Sequence, residues 1–174
     1  MTTSDAAVQN SILTKIEDAL RLLEEVHPRA YRAVKRHIGR VLVVWAPHYR
    51  GSWYGPLGLC ELSLEYVTRD SPDEIASTLV HEAAHARLER LGFRYHESLR
   101  FRLEAVCTRK QIEFVEKLPH PEMLLKELHA TLEWDPNYWS EANLRAARIG
   151  ALRTLGAPRW LIAALDRIHR WRAA

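Results

Sequence analysis

The stretch "SPDEIASTLVHEAAHARLERLG", residues 71–92, constrains the fold of this chain more than any other. Both of its ends are written in residue types. The Ser71 hydroxyl can accept the Glu74 amide while Glu74 reaches back to the Ser71 amide, a capping box that satisfies two orphan donors at once. Pro72 suits the first helical position, where its missing N–H costs nothing. Gly92 can take the left-handed conformation that ends a helix. Everything between reads as one helix.

The rest of the chain is organised around it. In residues 11–26, Ile12, Ile16, Ala19, Leu20 and Leu23 recur on one face, as in an amphipathic helix. "HPRAYRAVKRHIG" reads as a second helix, with Pro28 near its start and Gly39 at its end. The period then changes. "RVLVVWA" (40–46) is apolar and β-branched, which predicts a buried strand. "HYRGSWYGPLG" reads as a loop. "LCELSLEYV" (59–67) alternates, with Cys60, Leu62, Leu64 and Tyr66 on one face and Glu61, Ser63 and Glu65 on the other, as in a strand with one wet side. Beyond residue 92, helices fit 96–117, 121–133, 139–154 and 158–172. The expected class is α+β, predominantly helical, with a small antiparallel-type sheet before the 71–92 helix.

Within that helix lies HEAAH. Residues four apart share a helix face, so His81 and His85 can offer imidazole nitrogens to one cation. Glu82 lies one step round, near enough to handle the proton of a zinc-bound water without ligating the ion. Zinc brings that water's pKa toward neutrality and polarises a carbonyl under attack. The neighbours Leu79, Val80, Ala83, Ala84 and Ala86 are small or apolar and allow close packing beside such a site. The competing reading is a buried His–Glu–His set held by hydrogen bonds.

HEAAH followed by a second helix carrying a glutamate resembles the gluzincin branch of the zincin-type zinc metallopeptidases. The resemblance implies a third ligand on the following helix, and in "ESLRFRLEAVCTRKQIEF" that residue is Glu104. "HEAAHARLERLGFRYHESLRF" is also similar to SprT-like metalloproteases, whose third ligand is a histidine after a short turn. That reading selects His96, with Glu97 standing where a glycine is expected and no zinc-ribbon cysteines downstream. The metzincin pattern fails, because Leu88 and Leu91 hold its glycine and last histidine positions. In zincins an edge strand beside the cleft binds an extended peptide through its backbone, and "GLCELSLEYV" is the matching segment. Leu62, Ser63 and Leu64, with His96, are therefore the expected substrate-binding residues.

The resemblance covers residues 40–118, the zincin-like core of an expected single domain over 1–174. N-terminal helices fill 1–39 and C-terminal helices 119–174. The implied activity is a zinc-dependent metallohydrolase, a peptidase acting on a peptide or protein substrate, with Zn2+ held by His81, His85 and Glu104 and Glu82 as the base. The alternative is a non-catalytic zinc-binding regulatory or interaction module on the same scaffold. Tyr54, Tyr95, His96 and Tyr138 are each chemically able to stabilise an oxyanion. Glu97 could orient a ligand histidine, and His120 and His129 read as surface residues.

Charge and cysteine usage bound the remaining classes. The chain has 25 Lys+Arg against 22 Asp+Glu, a net +3, and these charges alternate along most of it. A mixed solvated surface is expected, with no nucleic-acid partner, although the basic end "RIHRWRAA" and the glycine-containing turn before it are noted. Two cysteines, Cys60 and Cys107, are too few for a disulfide framework. "MTTSDAAVQN" lacks the pattern of a signal peptide, and no apolar run reaches membrane-spanning length. The expected location is the cytoplasm. No phosphate loop, dinucleotide fingerprint or nucleophile elbow is present.

Overall fold

The capping box at Ser71 forms as the sequence requires. Ser71 Oγ accepts from the Glu74 amide at 3.4 Å and Glu74 Oε2 accepts from the Ser71 amide at 2.9 Å. The computed structural model describes residues 3–46 and 49–173, and the helix begun at Ser71 runs Pro72–Arg90 (α4). At its other end Gly92, with φ +89°, turns the chain. The Gly92 amide donates to the Glu89 carbonyl and the Phe93 amide to the Leu88 carbonyl. This paired pattern closes the last turn and needs the left-handed residue that glycine supplies without strain.

Around α4 the elements follow in the order α1 (Thr3–Val26), α2 (Pro28–His37), β1 (Arg40–Val44), β2 (Gly51–Tyr54), β3 (Leu59–Ser63) and α3 (Leu64–Arg69). After α4 come α5 (Glu97–Val115), α6 (Glu122–Leu132), α7 (Glu141–Thr154) and α8 (Arg159–Ala173). The fold is α+β and mostly helical, with one small three-stranded sheet. Among the described residues no helix is long and apolar enough to cross a membrane. Of the basic end "RIHRWRAA", Arg167 is exposed, and the side chains of His169, Arg170 and Arg172 are not among those described.

The chain divides into two compact units, Met1–Trp134 and Asp135–Ala174. No glycine-rich or low-complexity linker marks this boundary in the sequence. In the second unit α7 packs on α8 and on the short 3₁₀ turn Pro136–Trp139. In the first, α4 packs against α5, α1, α2 and β2. Its residues Ile75, Ala76, Leu79, Val80 and Ala83 join Leu23, Leu62, Val67 and Phe114 in a single core. Fully burying one such leucine or phenylalanine is worth about 1.5–3 kcal/mol, so this cluster is what holds α4 in place.

The sheet departs from expectation in four ways, the first being that the stretch "HYRGSWYGPLG", read as a loop, contains strand β2. The sheet is also mixed, in the order β1-β3-β2, with β1 parallel and β2 antiparallel to β3. β3 is therefore the central strand, paired on both sides, and β1 is an edge. Leu42 is accordingly exposed, as is Trp45 just beyond the strand. An apolar β-branched run reports a fit to a pleated surface and does not say which strand is central. Finally, β3 stops at Ser63, and Leu64–Arg69 is helical rather than extended. The ladder runs out there, since Ser63 is opposite Val44, the last residue of β1. Past that point the backbone has no strand to pair with, and a helix satisfies its own amides. The Thr68 hydroxyl donates to the Leu64 carbonyl within this turn.

Candidate metal centre

Three elements build the site. α4 supplies His81 and His85 one turn apart, α5 returns beside it with Glu104, and β2 lies along the other flank of α4. His81 Nε2 is 3.0 Å from His85 Nε2 and 3.2 Å from Glu104 Oε2, and His85 Nε2 is 3.5 Å from Glu104 Oε1. Ligands about 2.0–2.2 Å from a tetrahedral zinc lie about 3.3–3.6 Å from each other, so the three groups stand close to the edges of such a tetrahedron.

The protons support the same arrangement. His81 Nδ1 is 2.8 Å from Gln111 Oε1, while Gln111 Nε2 donates to Ser77 Oγ at 3.2 Å. With the amide in that orientation its oxygen can only accept, so Nδ1 of His81 carries the hydrogen. The Nε2 of His81 then faces His85 and Glu104, donating to Glu104 when the ring is protonated and offering a lone pair to a cation when it is neutral. Two imidazole nitrogens 3.0 Å apart must share either a proton or a cation.

Buried charge makes the point between these groups attractive to positive charge. Glu82 and Glu104 are 4% and 6% exposed, a costly placement for carboxylates without compensation. Burial works against ionised Glu104, but hydrogen bonds from His81 and His85 outweigh it and hold the carboxyl well below its usual range. Burial likewise lowers the His81 pKa, and the Glu104 hydrogen bond and Glu82 charge more than offset that, so the net direction is upward. Burial pushes the Glu82 carboxyl up, against the opposing charges of His81 and His85. The Tyr95 hydroxyl donates to Glu104 Oε1, and its ring meets His85 edge-on at 5.5 Å between centroids.

β2 is fastened to α4 at three places. Gly51 packs so closely on Thr78 that a Cβ there would lie 2.6 Å from the threonine methyl. The Trp53 backbone N–H donates to the Glu82 carboxylate, and the Trp53 indole donates to Glu89 Oε2 at 2.6 Å, two turns further along α4. The edge strand and the carboxylate of the motif are thus held in one register.

Comparison with known protein families, characterised proteins and solved structures gave no match to this chain.

The structure brings together His81, Glu82, His85 and Glu104. It does not bring in His96, which is exposed at the N-terminus of α5; the contacts of His81 and His85 among the described residues do not include it. The substrate-strand expectation is corrected too. Leu62 is fully buried in the core, Ser63 is 2% exposed, and Leu64 belongs to α3. β3 spends its backbone groups on β1 and β2, and the Ser63 amide donates to the Arg50 carbonyl, so the strand has no free edge. Of the expected edge-strand role, only β2 has a place beside the site.

One feature was missed from the sequence. Gln111 lies seven residues after Glu104, two turns along the same helix face, and that spacing was available as a signal. Cys107 lies between them, and its sulfur, with His81 and His85, forms a set of donor atoms within 4.8 Å of one another. Burial, then the Glu104 and Glu82 charges, push this thiol far above its ordinary range. Glu104 is already held ionised, whereas the Cys107 thiol must give up a proton to bind a metal.

Proposed function

We propose that this chain is a zinc-dependent metallohydrolase that cleaves peptide bonds, with His81, His85 and Glu104 holding the metal and Glu82 as its base. The observation that carries the reading is the convergence of three buried donor groups: the two imidazole Nε2 atoms are 3.0 Å apart and lie 3.2 and 3.5 Å from the two different oxygens of Glu104, with Gln111 against His81 Nδ1. Zinc held there supplies Lewis acidity, polarising a carbonyl and acidifying water.

The remaining work falls to the chain. Glu82, one residue from His81, takes a proton from the attacking water and delivers it to the departing amine nitrogen. Its raised pKa suits both halves of that task, because a carboxylate that is too acidic accepts protons poorly. The Trp53 amide fixes one end of the carboxylate. Tyr95 steadies Glu104, and Gln111 and Ser77 hold His81 in register. An extended peptide or protein substrate would meet β2, the edge strand beside Glu82. This division of labour agrees with the gluzincin resemblance of the sequence. Two buried free thiols suit a reducing compartment, and we assign the protein to the cytoplasm on that ground.

One observation favours a second reading. If Cys107 joins the three ligands, the metal is closed by four protein groups, as in a structural site, and the chain is a non-catalytic zinc module. Hydrolysis of a casein or mixed-peptide substrate, abolished by a chelator and restored by zinc, supports the enzyme. Stoichiometric zinc binding without turnover supports the module, and a protein that takes up no zinc refutes both.

A further inference from the structure

Charge balance over the whole chain hides a local segregation. From Val26 to Cys60 the sequence contains Arg29, Arg32, Lys35, Arg36, Arg40 and Arg50, and no aspartate or glutamate. The fold concentrates part of this stretch further. A recess of about 1000 Å³ lies between α2 and the C-terminal end of α4, lined by Arg29, Arg32, Lys35, Arg36, Arg87 and Arg90. Beside it a smaller recess of about 320 Å³ shares Arg29 and Arg32 and adds Lys117. Among the described residues no acidic side chain lines either one.

The cations are built in rather than scattered. Arg90 Nη1 donates to the Arg36 carbonyl at 3.0 Å and sits 3.3 Å from His37 Nδ1, which pins one guanidinium across the junction of the two helices. Arg29, Arg32 and Arg36 follow at i, i+3 and i+7 on α2, at rises of about 4.5 and 6 Å along its axis. The histidines at the two ends of α2 register the resulting field. Burial and then Arg90, Arg36 and Arg87 lower the His37 pKa, and burial and then Lys117, against the opposing charge of Glu113, lower that of His27. Like charges gathered without carboxylates repel one another, so an anion entering the recess relieves an energy the free protein carries.

We propose that this recess binds the phosphate backbone of a nucleic acid. Five of its six cations are arginines, whose planar fork pairs bidentately with phosphate and is more weakly hydrated than an ammonium. Several cations in a row along one helix face fit a polymer carrying one charge per unit better than a single small anion. The surface is concave, so a strand can enter it and a flat bilayer cannot follow it. The inference does not depend on the metal centre, because no metal ligand lines the recess.

The test is fluorescence anisotropy with the full chain and a labelled, mixed-sequence single strand of about 20 nucleotides, repeated with the corresponding duplex, at about 50–200 mM salt. Saturable binding is expected, with log K falling linearly against log salt by about 0.7 per phosphate contacted on the single strand or about 0.9 on the duplex. The variant Arg29→Glu, Arg32→Glu, Arg36→Glu should weaken binding at least about tenfold and flatten the salt slope. The milder Arg29→Gln, Arg32→Gln, Arg36→Gln should do so to a lesser degree, with circular dichroism confirming the fold of each. The variant Arg102→Glu, Arg109→Glu, Lys126→Glu changes net charge equally, away from the recess, and should bind almost as the parent does. Equal weakening by the two charge-reversal sets would overturn the proposal, as would absence of binding at low salt. Preferential binding of polyglutamate or phosphatidylserine vesicles over both oligonucleotides would also overturn it.

Discussion

Gln111 Oε1 lies 2.8 Å from His81 Nδ1, two turns beyond Glu104 on the same helix. Its amide is in turn held by Ser77, so α5 carries both the proposed metal donor Glu104 and the group that faces His81 Nδ1. Replacing Gln111 with Leu removes that contact without touching a ligand. Zinc affinity should fall about 10–100-fold, while Gln111→Glu, which keeps an acceptor at the same place, should retain most of it. Competition against a chromophoric chelator measures both.

In the proposed mechanism Glu82 handles protons and does not ligate. Glu82→Gln should keep zinc binding and lose hydrolysis, by at least about 100-fold in kcat, the range expected of a general base. His85→Ala should lose both. Metal content and turnover, measured on the same preparations, check the pair of outcomes. Full activity in Glu82→Gln would sink the proposed mechanism.

Glu104 and Cys107 compete for the same role. With Glu104 as third ligand, Glu104→Ala should abolish stoichiometric zinc binding and the thermal stabilisation that zinc confers, because a ligand bound only by the folded state raises its stability by mass action. Cys107→Ala should leave zinc stoichiometry intact. The reverse pattern would assign the metal to His81, His85 and Cys107. Thermal melts of both variants with zinc, without zinc and with a chelator distinguish the two patterns.

The cap of α4 is a separate, structural element. Ser71→Ala deletes the acceptor for the Glu74 amide and should cost about 1 kcal/mol of stability in urea unfolding. Zinc stoichiometry should be unchanged, since His81 lies almost three turns further on.

Gly51 is where β2 meets α4. A Cβ at this position would come within 2.6 Å of the Thr78 methyl and 3.2 Å of Leu62 Cδ2. Gly51→Val should therefore destabilise by about 1–3 kcal/mol, the usual cost of overpacking. The double variant Gly51→Val, Thr78→Ser, which removes the facing methyl, should recover part of the loss. Equal stability of the two variants in urea would show that β2 relaxes away from α4 instead.

What the sequence determined by itself is what depends on neighbours along the chain. The Ser71 capping box, the Gly92 stop and the pairing of His81 with His85 are set by residues three to five apart, and all formed as read. The placement of Glu104 was legible only through resemblance, since its approach to two histidines 19 and 23 residues upstream depends on how α5 packs on α4. Strand order lay wholly beyond local pattern. β1 is apolar and β3 alternates, yet β3 is the buried centre and β1 an edge, because pairing depends on which strands the helices leave uncovered. Tertiary structure alone placed Gln111 against His81 and Trp53 against Glu82, and it gathered Arg29, Arg36 and Arg87 round one recess. Local hydrogen bonding is encoded within a few residues, whereas the meeting of distant side chains is fixed only when the core between their helices has packed.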